Sequence, residues 1–140
     1  MFESSIALSD ASRVLAGIVL LTVITIEFGG TFLVRVVSGK VPMTEFQKSF
    51  ARAGHAHAGV LVTLSLITLV LADATDLTGA WGWISRIGVP AAAILMSGGF
   101  FAAMAGSGRT SPNRAIVILW AGAASLAAGT LSLGIGLLTT

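Results

Sequence analysis

The side chains best suited to chemistry in this sequence are two histidines, in the stretch Arg52-Ala53-Gly54-His55-Ala56-His57-Ala58-Gly59. They lie where a polar helix start passes into a long apolar run. Imidazole titrates near neutral pH and ligates metals and haem iron. Because the neighbours are Ala and Gly, another helix or a flat ligand such as a porphyrin could approach both rings closely. The chemistry of the protein is therefore predicted to centre here.

The two rings cannot chelate one ion from a regular helix, because residues at i and i+2 point about 200° apart. His57 continues the face of Phe50 and Ala53, and we expect it to face the interior of a helical bundle. His55 continues the face of Lys48 and Arg52, and we expect it to meet headgroups or water. His57 is thus the predicted site histidine.

Glu27 lies in the middle of the first apolar segment. An ionised carboxylate there costs roughly several kcal/mol unless it is paired, ligated or protonated. Glu27 lies about 12 Å inside Arg35, and His57 about 7.5 Å inside Arg52, so their levels differ by about 5 Å. We expect a Glu27–His57 contact that could hold a metal ion or relay protons. The alternative is a protonated Glu27, hydrogen-bonded to Thr31 or to the second helix, that only fixes packing.

The sequence leaves the cofactor open: it is haem or a divalent metal ion, or none is bound and the small residues around both rings serve helix packing alone. Haem iron would be ligated by His57 or His55, with Met96, Met104, water or a second subunit opposite. Zinc takes three or four ligands, and Glu27, one histidine and water supply a poor set. The sequence has no cysteine, so thiolate sites and disulfides are excluded. It has no phosphate loop, nucleophile elbow or metalloprotease helix, so we assign no catalytic residue.

The stretch Gly54-His55-Ala56-His57-Ala58-Gly59 resembles the His-x-His entry into a transmembrane helix of haem–copper oxidase subunit I-like membrane proteins. The resemblance implies a haem ligand at His55 or His57 and a respiratory or redox context. The chain departs from that family, because it has four apolar segments rather than twelve and lacks consecutive histidine copper ligands. Oxygen reduction is not expected of this chain.

The composition predicts that these residues are positioned by membrane-spanning helices. Of the 140 residues, 55% are hydrophobic and 10% are charged, whereas a soluble domain carries about 25% charged residues. Four apolar stretches reach the roughly 20 residues that cross a bilayer. We predict one all-α domain over 1–140, a bundle of four transmembrane helices. The polar start, with Glu3 and Asp10, does not suit a cleavable signal, and no basic stripe indicates a nucleic-acid partner.

The predicted helices are set by caps and turn residues. Helix 1 runs from Ser12 or Arg13 to Val37, with Asp10 or Ser12 as N-cap. Helix 2 runs from a Thr44/Gln47 capping box to Leu71 or Ala72. Helix 3 runs from about Trp83 to Ala105 with a kink at Pro90, and helix 4 from about Asn113 to Leu138.

Basic residues predict the orientation of these helices. The first and third connections, with their flanking turns, carry six Lys or Arg residues against two on the opposite side, which places turns 38–43 and 106–112 in the cytoplasm and both termini outside. Arg35, Arg52, Trp81 and Trp83 are the expected interface anchors. A bacterial plasma membrane is the expected location.

A shift of 69 residues aligns Gly29-Gly30 with Gly98-Gly99, and Ser38-Gly39-Lys40 with Ser107-Gly108-Arg109. This indicates a duplicated two-helix hairpin, with repeats over about 12–72 and 82–138, in a parallel arrangement. The ionisable groups well inside the membrane, Glu27 and the histidines, belong to the first repeat alone.

Three functional classes stay open on the sequence. The first is a small integral membrane protein that binds haem or a metal through His57 with Glu27. The second is a non-catalytic accessory or assembly subunit of a larger membrane complex. The third is a proton-coupled carrier or channel that acts as a homo-oligomer, with Glu27 and His57 as the relay.

Overall fold

Four long α-helices form the structure, a computed structural model that describes residues 8–139. They are α1 (Asp10–Val37), α2 (Glu45–Ala72), α3 (Gly79–Met104) and α4 (Ile116–Thr139). Each is long and apolar enough to span a membrane, and no strand occurs between residues 8 and 139. The predicted all-α bundle is confirmed, and the chain is an integral membrane protein. Glu3 and Thr140 lie outside the described residues.

The helix starts follow from local hydrogen bonds. The N-cap of α1 is Ser9, whose hydroxyl accepts the Ser12 N–H at 3.2 Å; the prediction of Asp10 or Ser12 was wrong, because Ser9 precedes the acidic first turn. The predicted capping box of Thr44 and Gln47 is confirmed at the start of α2.

The second half differs from prediction in its helix starts. Helix α3 begins at Gly79, before the two tryptophans, and continues through Pro90. Helix α4 begins at Ile116 rather than near Asn113. The Asn113 side chain is used otherwise, since its Oδ1 accepts the Ala115 N–H at 2.7 Å and its Nδ2 donates to the Ala102 carbonyl at 2.8 Å.

Helices α2, α3 and α4 form the packed body of the molecule, and α1 lies at its side. In the most apolar window of α3, 56% of residues are buried, against 6% in α1. A core cluster lies between α1, α2 and α3, comprising Val19, Leu61, Val62, Ala93 and Met96. Helix α1 therefore contacts the bundle mainly through α2, along one narrow face.

Polar residues tie the helices together at both ends. At one end, here the Thr44 end, Gln47 Nε2 donates to the Met104 carbonyl at 3.1 Å and to the Gly106 carbonyl at 2.7 Å, and the Thr44 hydroxyl donates to the Arg109 carbonyl. At the other, the Asp73 end, the Asp73 carboxylate joins the start of α1 to α3. Both tight turns thus lie at the Thr44 end.

Candidate ligand-binding cleft

His55 is the histidine that faces α1. Its ring edge, with both nitrogens, lies against the backbone of Gly29 and Gly30. A methyl group on Gly29 would come within 3.2 Å of His55 Nδ1, and one on Gly30 within 3.5 Å of Cε1. The two glycines therefore make the space that the imidazole occupies. No hydrogen bond from His55 is formed among residues 8–139.

His57 faces α3 instead of α1. Its ring lies 4.9 Å from that of Phe100, centroid to centroid, and its Nδ1 is 2.8 Å from the Ala53 carbonyl oxygen. Phe100 also contacts Phe50, which lies two turns before His57 on α2. His57 is therefore part of an aromatic contact between α2 and α3, with one ring nitrogen already used.

Glu27 lies on the exposed side of α1 and forms no hydrogen bond or ion pair with either histidine. The expected Glu27–His57 contact was wrong, and so was the alternative bond to Thr31, whose hydroxyl donates to the Phe28 carbonyl at 2.7 Å. The estimate of similar depth did not fix rotation about the helix axes, and α1 packs on the face of α2 that carries His55. A direct Glu27–His57 metal site or proton relay is not assembled within one chain.

The two methionines considered as axial haem ligands are buried elsewhere. Met96 is 9% exposed in the core cluster and packs toward Gly122 of α4; Met104 is 6% exposed near the Thr44 end. Neither lines the cavity that contains His55. Among residues 8–139, no three His, Cys, Asp or Glu side chains are grouped so that they could hold a metal ion.

A cleft of about 650 Å³ lies between α1, α2 and α3, with His55 at one end; we call it the α1–α3 cleft. Its volume is typical of a small-molecule site. It is lined on α1 from Leu15 to Gly29, about 21 Å at 1.5 Å per residue, so its mean cross-section is about 30 Å². The α1–α3 cleft is long, narrow and almost wholly apolar.

Ser97 supplies a second polar group to the α1–α3 cleft. Its side chain is buried, and its hydroxyl is one of two buried side-chain polar atoms of residues 8–139 without a hydrogen-bond partner. The cleft hydroxyls of Thr22 and Thr25, in contrast, donate to carbonyls of α1 at 2.6 Å each. An unmade hydrogen bond in an apolar setting costs roughly 1–3 kcal/mol. His55 is therefore a group that a ligand could satisfy directly, and Ser97, whose hydroxyl is covered in the wall of the cleft, is one that it could satisfy after rotation of the serine side chain.

Sequence reasoning missed the partly buried charge cluster at the Asp73 end, because it used Asp73 as a helix end and counted Asp73 and Arg86 as orientation signals. Asp73 accepts hydrogen bonds from the Ser9 backbone and the hydroxyls of Ser9 and Ser12, at 2.9–3.0 Å. Arg86 Nη2 donates to Asp73 at 2.9 Å. Burial acts to raise the pKa of Asp73, but these four bonds together hold it below 3.8. The signal available in the sequence was a basic residue, Arg86, thirteen residues after Asp73, across the connection between α2 and α3.

The expected interface anchors lie at helix ends. Arg35 is exposed in the last turn of α1, and Arg52 is exposed two turns into α2, where its Nε donates to the Lys48 carbonyl at 3.3 Å. Trp81 and Trp83 are exposed in the first turn and a half of α3. Their role as anchors stays a prediction.

Comparison with known proteins identifies no relative: no family model, no curated protein and no solved structure matches the chain. We therefore infer the function from the α1–α3 cleft.

Proposed function

We propose that this integral membrane protein binds an amphiphile from the bilayer in the α1–α3 cleft, with its polar head group at His55 and Ser97. The observation that carries the proposal is the pair of hydrogen-bonding groups without protein partners in an otherwise apolar cavity. The tail would run along α1 toward Leu15. A cross-section of about 30 Å² suits a hydrocarbon or isoprenoid chain.

The head group is of a type that accepts or donates one or two hydrogen bonds, such as a quinone ring. Ser97 offers one hydroxyl, and His55 offers two ring nitrogens. No Lys or Arg is among the residues that line the α1–α3 cleft. A neutral head group is therefore favoured over a phosphate.

Haem, the cofactor implied by the His-x-His resemblance, fits this geometry less well. A porphyrin beside His55 would need more width than the narrow α1–α3 cleft provides along its length. His57 already engages the Ala53 carbonyl through Nδ1 and packs on Phe100. Ligation through either ring would require a neighbouring helix to move.

The experiment compares His55→Ala with His57→Ala, a matched control two residues away on the same helix. The probe is a radiolabelled benzoquinone with a ten-carbon tail, and its retention by proteoliposomes is measured at increasing mole fraction. Loss of one hydrogen bond of about 1.4 kcal/mol weakens binding about tenfold. We expect that loss in His55→Ala, a smaller one in Ser97→Ala, and a change within about twofold in His57→Ala.

Two results would overturn the proposal. One is retention by wild-type protein no greater than by protein-free vesicles, and the other is equal weakening by the two histidine substitutions. The visible spectrum of protein purified from haem-replete cells tests the haem alternative separately. A Soret band lost in His55→Ala would replace the amphiphile with haem.

A further inference from the structure

A glycine in the α3 wall of the α1–α3 cleft leaves an unfilled space among its lining side chains. Ile94, Gly98 and Phe101 line the cleft, and their spacings of four and three residues put them on one face of α3. A methyl group on Gly98 would have no atom within 4 Å. The middle of this row is therefore open space, called the Gly98 gap below.

The Gly98 gap lies near the level of His55. The Phe101 ring meets Gly54 of α2, since a methyl group on Gly54 would come within 3.0 Å of Phe101 Cε2. From that level, Gly98 lies three residues and His55 one residue toward the Asp73 end, so their backbone levels differ by about 3 Å. Both residues line the same cavity. The gap therefore belongs to the part of the cleft that the proposed head group would occupy.

Packing within the chain does not account for glycine at position 98. Gly88 and Gly99 let α4 approach α3, because a methyl group on either would lie 2.5 Å from a backbone atom of α4. Gly98 meets no such atom, and glycine lowers helix stability relative to alanine. Gly17 and Gly134 are equally open but are not among the residues that line the cleft. An occupant of the cleft would use the space that Gly98 leaves.

Phe101 bounds the Gly98 gap on the side nearest the Thr44 end. One edge of its ring, with Cδ2 and Cε2, lies against Gly54, so α2 holds the ring in place. The ring is partly buried and lines the cleft. Aromatic rings prefer offset or edge-to-face contact with other flat rings, which contributes about two- to tenfold in affinity. Phe101 is therefore positioned to contact a flat ligand in the gap.

We infer, on the basis of the proposed function, that the Gly98 gap receives a flat ring as the head group of the bound amphiphile, in contact with Phe101. The ring is the widest part of such a ligand, and the missing side chain widens the narrow cleft at that level. Ser97, the preceding residue, carries the hydroxyl without a partner. The ligand class is thus a ring-headed lipid such as a quinone, and not a straight-chain alcohol whose head is no wider than its tail.

The test fills the gap and compares two radiolabelled probes with the same ten-carbon tail, the benzoquinone and straight-chain decanol. Wild-type proteoliposomes should retain the quinone more strongly than decanol. In Gly98→Leu, quinone affinity should fall about tenfold while decanol affinity changes within about twofold. Gly17→Leu, at an exposed and open position of α1, is the matched control and should leave both unchanged. Thermal unfolding should not be lowered in Gly98→Leu, because its side chain enters open space.

A second pair of variants tests the aromatic contact. Phe101→Leu keeps an apolar side chain against Gly54 but removes the ring, so quinone affinity should fall about threefold with decanol unchanged. Phe101→Tyr keeps the ring and should restore quinone affinity. A loss that Phe101→Tyr does not restore would contradict the ring contact.

Three results with the gap variants would overturn the inference. The first is a loss of quinone affinity in Gly98→Leu no larger than in Gly17→Leu, the second is an equal loss for both probes, and the third is equal retention of both probes by wild-type protein. Failure of the proposed function is a different result, because wild-type protein would then retain the quinone no better than protein-free vesicles.

Discussion

The two hairpins of this protein use glycine in opposite ways. In the second hairpin, glycines bring backbones together: a methyl group on Gly88 of α3 would lie 2.5 Å from the Gly129 Cα of α4, and one on Gly99 would lie 2.5 Å from the Leu119 backbone nitrogen. In the first hairpin, Gly29 and Gly30 make room for the His55 ring rather than for a backbone. Helices α3 and α4 form a closed pair, whereas α1 and α2 leave a cleft.

The difference shows how an apolar helical bundle can combine close packing in one part with an open cleft in another. Close packing supplies much of the association energy of membrane helices, and the second hairpin supplies it here, with Ser125 donating to the Gly88 carbonyl at 2.9 Å. Because α3 and α4 pack closely, the bundle does not depend on close packing of α1. The hairpin with the polar groups is accordingly the less buried of the two.

The largest expected effect on stability comes from a substitution that forces α3 and α4 apart. Gly88→Val should destabilise the bundle by about 3 kcal/mol, the upper end for overpacking, because its side chain meets the backbone of α4 and not a movable side chain. Thermal unfolding of the detergent-solubilised protein measures the loss. Gly59→Val, on the open side of α2 with no atom within 4 Å, is the control and should leave stability unchanged. Equal loss in both variants would contradict the assignment of the second hairpin as the rigid body.

The second largest effect is expected from a substitution at Asp73, whose hydrogen bonds hold the start of α1 against the bundle. Asp73→Asn removes the charge that pairs with Arg86 and weakens the bonds from Ser9 and Ser12, at a cost of about 2 kcal/mol. Asp76→Asn, an exposed neighbour without a charge partner in the described residues, should cost nothing measurable. Limited proteolysis near residue 9 should accelerate in Asp73→Asn alone. Unchanged cleavage would show that α1 is held by other contacts.

The same cluster gives a pH dependence of stability. Because the folded pKa of Asp73 is lowered from 3.8, its contribution is fully present above that value and is lost as pH falls through the lower folded pKa. Unfolding of wild-type protein should become easier below about pH 4. The Asp73→Asn curve should be flatter in that window, and parallel curves would assign the acid sensitivity to other carboxyl groups.

The smallest expected effect is in the cleft. A methyl group in Gly29→Ala meets His55 Nδ1 at 3.2 Å and must move the ring by a few tenths of an ångström, whereas in Gly30→Ala the nearest ring atom is at 3.5 Å, an ordinary contact. Affinity for the quinone probe should fall about threefold in Gly29→Ala and stay level in Gly30→Ala. Thermal unfolding should not distinguish the two variants. The opposite order of affinities would mean that the His55 ring is not positioned by Gly29.

The sequence predicted the four helices closely because hydrophobic length and caps such as Thr44–Gln47 are local signals. The site was predicted less well, since counting residues along a helix gives the depth of Glu27 but not the direction in which it points. That direction depends on which face of α2 receives α1, a tertiary choice set by Gly29 and Gly30. Ser97 was not predicted as a site residue, because a serine hydroxyl in an apolar helix normally donates to a carbonyl of the same helix, as those of Ser65 and Ser85 do.

The proposed duplication of a hairpin stays a prediction. The paired turns at the Thr44 end fit it, but the two hairpins now pack so differently that common ancestry is not visible in the contacts. Gly98 and Gly99, which the alignment pairs with Gly29 and Gly30, illustrate the point. Gly99 meets a backbone, and Gly98 has no neighbour within 4 Å.

Several residues that line the α1–α3 cleft, including Ile18, Ile87 and Ile94, are also exposed in mid-helix. The mouth of the cleft therefore opens along the middle of the helices, the level at which a membrane-spanning bundle faces hydrocarbon. A ligand would arrive by lateral diffusion in two dimensions, and its concentration at the mouth would be set by how strongly it partitions into lipid. Ligand selectivity would then depend first on partitioning into the membrane, because only molecules that partition into lipid would reach His55.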